Sequence, residues 1–335
     1  MIPVRRRLHS GRAVSAAVLI GAVIALASWS VASADGIDSH AKAGSPLPVP
    51  AALKHFGAAT FAGEGKWRAA GRPVHGLSAV YETTLTPPGG SVAAGVAWMD
   101  TRLLSARLYS GSLSPGKGPY RFTAPVLPAY ARTLVAAFNG GFQMKDAHGG
   151  YYTEGRLVEP LRKGAASFVI YANGGVKIGA WGRDVKMTSS VVGVRQNLNL
   201  LVADGRLTAA AISRNWRAWG DTCGVYSCAK SVPGIEHQWR SGVGITASGA
   251  LVYVTGPGLS PFQLAQLLVR ARAVRAMELD INSNWPDFST YDPPAVNGLA
   301  SATNGSRLLA STVQGPSTFF EPSWARDFIT MSAKA

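Results

Sequence analysis

Acids and thiols are what this chain lacks most. It holds two cysteines, Cys223 and Cys228, with no histidine pair beside them, which excludes a cysteine-based zinc site. Asp and Glu total 18 against 33 Lys and Arg, leaving a formal charge of +15 and favouring anionic partners such as wall polymers, phospholipid headgroups or nucleic acid. No G-x-S-x-G elbow, Walker loop, H-E-x-x-H or dinucleotide fingerprint occurs, which removes the commonest serine hydrolase, nucleotide, zincin and Rossmann readings. No nucleic-acid-binding motif appears either, and no repeat of solenoid length.

The first 34 residues carry an address. Arg5, Arg6, Arg7 and Arg12 precede an apolar run from Ala13 to about Ala32, and Ala32-Ser33-Ala34 has the small-x-small form of a cleavage site. A secretory signal over 1–34 is the first expectation. An uncleaved single-pass anchor with the arginines inside is the alternative, and a twin-arginine route a third. All three put the rest of the chain outside the cytoplasm, secreted or associated with the cell envelope. The only membrane link expected is an uncleaved N-terminal segment. In an oxidising compartment Cys223 and Cys228 are expected to form a disulfide across DTCGVYSCAKS.

Residues 35–64, rich in Ala, Gly, Pro and Ser, read as a flexible linker. From 65 to 335 strand signals dominate. SFVIYANGGVKIGAW is a hairpin signal turning at Asn173-Gly174, and Asp204-Gly205 and Ser248-Gly249 mark further strand pairs. A short helix is expected at Pro125–Ala131. One long helix is well signalled: Ser260 caps, Pro261 takes the first position, Gln263 completes a capping box, and Leu264, Leu267, Leu268 and Ala271 form a stripe. Strand 250–255, this helix and strand 275–281 predict a βαβ unit with parallel strands. The fold class expected is α+β: a strand-rich mixed sheet with a C-terminal βαβ unit in a single domain.

The segment RAMELDINSN (275–284) concentrates the chemistry. Met277, Leu279 and Ile281 alternate with Glu278, Asp280 and Asn282, so an apolar face would anchor a polar one. Two acids two residues apart on one strand face lie about 6–7 Å apart at Cα, close enough to share a substrate, a proton or a cation. Asp280, Asn282 and Asn284 begin like a calcium loop. Trp285 and Tyr291 occupy the positions that need glycine and glutamate, so no EF-hand forms. No metal or other cofactor is expected. A looser divalent-cation site using Asp287 or Asp292 stays open.

These pieces resemble the phosphodiester glycosidase family, in an exported, actinobacterial-type branch. The likeness rests on FNGGF at 138–142, WRSGVGITASGALVYV at 239–254, the helix SPFQLAQLLVRARAV, and AMELD at 276–280, in that order. It spans roughly residues 75–330. One departure is INSNWPDF, which stands where the family commonly places a glycine-rich, serine-containing turn. Side chains of Asn282, Asn284 and Trp285 replace the backbone amides that such a turn would offer a phosphate.

The resemblance implies a glycosidase acting on a sugar-1-phosphodiester or a related envelope glycan, with an anionic or phosphorylated glycan as partner. Asp280 is the leading catalytic candidate, with Glu278 or Glu154 as a second carboxylate. Arg240 is the candidate phosphate ligand, its guanidinium offering a planar fork. Asn139, Gly140 and Gly141 could admit a sugar or phosphate close to the backbone. Tyr152 beside Glu154 suits sugar stacking, and Trp216, Trp219, Trp239 and Trp285 could line a cleft. His148 reads as a solvated loop histidine. The alternative is a non-catalytic glycan-binding or envelope-associated protein on the same fold.

Overall fold

The computed structural model describes residues 45–213, 216–220, 236–295 and 298–335. The leader 1–34, Cys223 and Cys228 lie outside the described residues, as does the side chain of Trp216.

Among the described residues the strands form three sheets. The largest has eight strands, in spatial order Arg68–Ala70, Val80–Leu85, Ala94–Met99, Leu251–Leu259, Gln238–Thr246, Ala273–Glu278, Leu200–Ala203 and Arg206–Leu207. A second sheet runs Arg156–Glu159, Tyr151–Thr153, Val191–Gln196, Ala166–Tyr171, Val176–Ala180. The third runs Gly305–Arg307, Phe288–Tyr291, Leu134–Asn139, Phe328–Ala333, Leu104–Tyr109. Every pairing between these strands is antiparallel. The expected mixed sheet is therefore corrected to three antiparallel ones.

The expected βαβ unit has another strand inserted in it. Leu251–Leu259 and Ala273–Glu278 do run in one direction, and the helix Pro261–Arg270 connects them. They are not neighbours, because Gln238–Thr246 lies between them, antiparallel to both. The tight turn at Gly249 (φ +91°) folds Gln238–Thr246 against Leu251–Leu259 as a hairpin, so the helix must carry the chain over it to the far edge.

The helix begins as its sequence predicts. Gln263 N–H donates to Ser260 Oγ at 3.2 Å, and Ser260 N–H donates to Gln263 Oε1 at 3.0 Å. Leu264, Leu267 and Leu268 are fully buried against the large sheet, packing with Val252, Val254 and Ala276. The other face of that sheet meets the two smaller sheets. Phe138 links all three, its ring centroid 6.3 Å from Phe168, 5.4 Å from Tyr253 and 6.2 Å from Phe288. The expected helix at Pro125–Ala131 is one turn, Pro128–Ala131.

The described part of the expected linker is tied down. Leu47 and Leu53 are buried. Leu47 N–H donates to Asp100 Oδ2 at 2.7 Å, and Leu53 N–H donates to Gly65 O at 2.9 Å. The Glu64 carboxylate accepts the N–H groups of Thr60 and Thr86 at 2.7 and 2.6 Å. Composition suggested a loose arm, but two leucines and one acid give residues 45–64 fixed partners. Among the described residues no helix is long and apolar enough to cross a membrane.

Candidate active site

The strand Ala273–Glu278 ends just before Leu279, and the chain turns on the Asp280 side chain. Asp280 Oδ1 accepts the N–H groups of Ile281 and Asn282 at 2.8 and 3.0 Å. This turn breaks the expected alternation. Met277 and Leu279 pack into the core between the sheets, whereas Ile281 joins the core under the helix. Ser241 on the neighbouring strand clamps the corner. Its Oγ accepts from Asp280 N–H at 3.1 Å and donates to Asp280 O at 3.0 Å.

Asp280 thereby reaches the wall of a cavity of about 370 Å³. Asn282, Trp285, Asp146, His148 and Arg326 line the same space. Arg326 Nη2 donates to Asp280 Oδ2 and to Gly141 O, and its guanidinium carbon stands 4.9 Å from the Trp285 ring centroid. Arg326 Nε is buried and has no hydrogen-bond partner among the described residues. Burial raises the pKa of Asp280 above its ordinary value, while the Arg326 charge and the two backbone N–H groups pull it back. The cavity thus combines a carboxylate, a guanidinium, an indole face and an exposed imidazole, the chemistry needed to hold a sugar beside an anion.

Several expected members of the site lie elsewhere. Glu278 and Arg240 are sealed inside the protein, both with fully buried side chains, paired Arg240 Nη1 to Glu278 Oε1 at 2.6 Å. Arg240 also donates to the carbonyls of Leu259, Trp219 and Glu236 at 2.7, 3.2 and 3.0 Å. Its donors are committed to the fold, so the expectation that it holds phosphate is corrected. Burial pushes the Glu278 carboxyl up to about 7 against the pull of Arg240.

Asn139 is likewise internal. Its Nδ2 donates to Gly140 O and Ser241 Oγ at 2.8 and 3.0 Å, and its Oδ1 accepts from Tyr253 OH and Asp287 N–H at 2.6 and 3.2 Å. That satisfies the amide and leaves nothing for a ligand. The two glycines after it make room for protein groups, not substrate. A Cβ on Gly140 would lie 2.0 Å from Asp327 Oδ2, and one on Gly141 2.8 Å from Asn197 Oδ1. Asp327 is held by Arg195 through contacts of 2.7 and 3.2 Å, both side chains fully buried.

Glu154 opens onto a different cavity, of about 480 Å³. Its carboxylate accepts the N–H groups of Arg121 and Phe122 at 2.8 and 3.0 Å. Tyr152 packs with Val169 and Val194 in the second sheet. Asn284 is exposed, and its N–H donates to Asn282 Oδ1 at 3.0 Å. Of Trp219, Trp239 and Trp285, only Trp285 lines the cavity. Of the residues named for a loose cation site, Asn282 Oδ1 holds a turn, Asp287 is buried with Oδ1 accepting from Ser289 Oγ at 3.0 Å, and Asp292 is exposed. Among the described residues no group of three or more His, Cys, Asp or Glu could hold a metal ion.

Arg326 was not singled out in the sequence. The only local signal is an Arg-Asp pair in WARDF, 46 residues beyond Asp280. Asp146 also escaped notice, in the loop that follows FNGGF.

Comparison with known proteins bears on the same region. Residues 132–280 match the family model for phosphodiester glycosidase. The catalytic domain of zebrafish N-acetylglucosamine-1-phosphodiester alpha-N-acetylglucosaminidase, auto-inhibited by its pro-peptide, is 18% identical, covering 80% of this chain and 88% of that one with a TM-score of 0.46. A hypothetical protein from Synechocystis is 14% identical, covering 80% of this chain and 65% of that one with a TM-score of 0.39. No curated protein matches the chain.

Proposed function

We propose that this chain, whose residues 132–280 match the family model for phosphodiester glycosidase, hydrolyses a sugar-1-phosphodiester in the cavity walled by Asp280 and Arg326. The observation that carries the reading is that pair: a carboxylate at the end of the family's matched segment, bonded to a guanidinium that keeps one buried N–H without a partner among the described residues. The substrate fits a glycan of the cell envelope, reached by an exported protein, and the net positive charge that remains without the leader's four arginines, about +11, favours its anionic character.

In the reaction the bond between the anomeric carbon and the phosphate oxygen breaks. The hydroxyl of water joins the carbon, and the phosphomonoester departs with the proton. Arg326 holds the phosphoryl oxygens and offsets the charge that grows on the leaving group. Trp285 offers its face to the sugar ring. Asp280 either attacks the anomeric carbon or deprotonates water. Asp146, on the same cavity wall, replaces Glu278 and Glu154 as the second carboxylate. A covalent route calls for carboxyls about 5–5.5 Å apart, and direct attack by water for roughly 6.5–9.5 Å.

The test is incubation of the purified protein with a sugar-1-phosphate methyl diester, followed by NMR. Free sugar and methyl phosphate in equal amounts are expected, and the first-formed anomer reports the stereochemistry. A second reading, glycan binding without cleavage, is favoured by the hydrogen bonds already carried by both Asp280 oxygens. Saturable binding with no free sugar would support it over hydrolysis.

A further inference from the structure

The wall of the cavity does not stop at Arg326. Two residues earlier, Trp324 meets Trp285 edge to face, with ring centroids 5.6 Å apart and planes at 69°. Trp285 faces the first cavity, and Trp324 faces a neighbouring one of about 270 Å³. That volume equals about nine waters at liquid density, the scale of one sugar ring. Besides Trp324 it is walled by Tyr120, Ser110, Ser112, Ser323 and Lys117. One indole, one phenol, small hydroxyls and a lysine suit a polyhydroxylated ring, which presents an apolar face and a polar rim.

The space is also fixed to the first cavity. Ser112 N–H donates to Trp324 O at 2.8 Å, and Ser112 Oγ donates to Ser323 O at 2.7 Å. The N–H groups of Leu113 and Ser114 both donate to Ala325 O at 3.0 Å. Ser323 sits at φ +61°, a left-handed conformation that a serine adopts when its surroundings impose it. Residues 323–326 therefore form one braced edge, with Trp324 on one side and Arg326 on the other.

We infer that the Trp324–Tyr120 cavity is a second subsite, taking a further sugar or polyol unit of the same substrate. The enzyme would then prefer a substrate of at least two such units over a single sugar on a phosphodiester. This inference rests on the hydrolase reading above for its kinetics, but its binding can be measured without it.

Three substrates separate the possibilities: a monosaccharide-1-phosphate methyl diester, the same with a second sugar on the glycosyl side, and the same with a sugar replacing the methyl group. One extended substrate is expected to show kcat/KM about three- to tenfold higher than the methyl diester, the range of a single aromatic contact. Trp324→Ala and Tyr120→Ala are each expected to reduce that preference. Equal kcat/KM for all three, or a preference that survives both variants, overturns the subsite. Thermal melts check that each variant folds, and Tyr120→Ala decides if Trp324→Ala does not. Should none of the three be cleaved, the hydrolase reading fails and calorimetry with free disaccharide decides the subsite. Binding weakened by Tyr120→Ala supports it, and no binding, or binding indifferent to that change, overturns it.

Discussion

Glu278 and Asp280 leave neighbouring positions of one chain segment, yet their carboxylates meet different worlds. Glu278 turns inward to Arg240, in a pair sealed from water. Asp280 stands past the strand end, 3% exposed, with Arg326 on the cavity wall. Asp280→Asn is expected to keep the fold and lower kcat by about 10²–10⁴, the usual worth of a positioned acid or base. Arg326→Gln removes a charged donor and should raise KM for a phosphodiester about tenfold or more, read by steady-state kinetics. Arg240→Met instead strands a buried charge. It should cost about 3–5 kcal/mol in urea unfolding while turnover per folded molecule stays. Asp287 gives a pH signature. Burial pushes its carboxyl up to about 7 from the ordinary 3.8, and its Oδ2 has no hydrogen-bond partner among the described residues. Between those values the folded protein holds a proton that the unfolded chain has lost. This contribution is therefore complete below about pH 3.8 and disappears as pH rises through about 7. Asp287→Asn should flatten the fall in stability from pH 4.5 to 7.5, measured by denaturant titration.

At the level of elements, local signals were legible and distant pairings were not. The capping box at Ser260 needs only four residues of sequence, and it forms as read. Ser260→Ala should cost about 1 kcal/mol in the same unfolding measurement. The hairpin turns at Gly174, Gly205 and Gly249 were equally readable, because each needs a positive φ that glycine adopts freely. Strand order was not. Placing Gln238–Thr246 between two strands of one direction depends on which edges meet in space, and no periodicity encodes that. The Asn139-Gly140-Gly141 turn misled for a related reason. A glycine that admits a ligand and one that admits Asp327 look alike until the distant residue is in place.

At the scale of the molecule, the three antiparallel sheets of the described residues meet around Phe138 and bring the end of one sheet beside residues 323–326. Although the strand itself ends at Glu278, the aspartate of the site was visible in sequence because acids alternate with apolar residues through RAMELD. Its arginine was not, since it lies outside the family's matched segment and only tertiary folding joins the two. Glu154, beside its tyrosines, looked as good a partner as any and stands in another cavity. The most direct test sets these two acids against each other. Sugar release from a sugar-1-phosphodiester is measured for Asp280→Asn and Glu154→Gln, each confirmed folded by its melting curve. Loss of release with Asp280→Asn and its survival with Glu154→Gln is the predicted result. Turnover surviving in Asp280→Asn, or vanishing in Glu154→Gln, would contradict the placement of the active site beside Arg326.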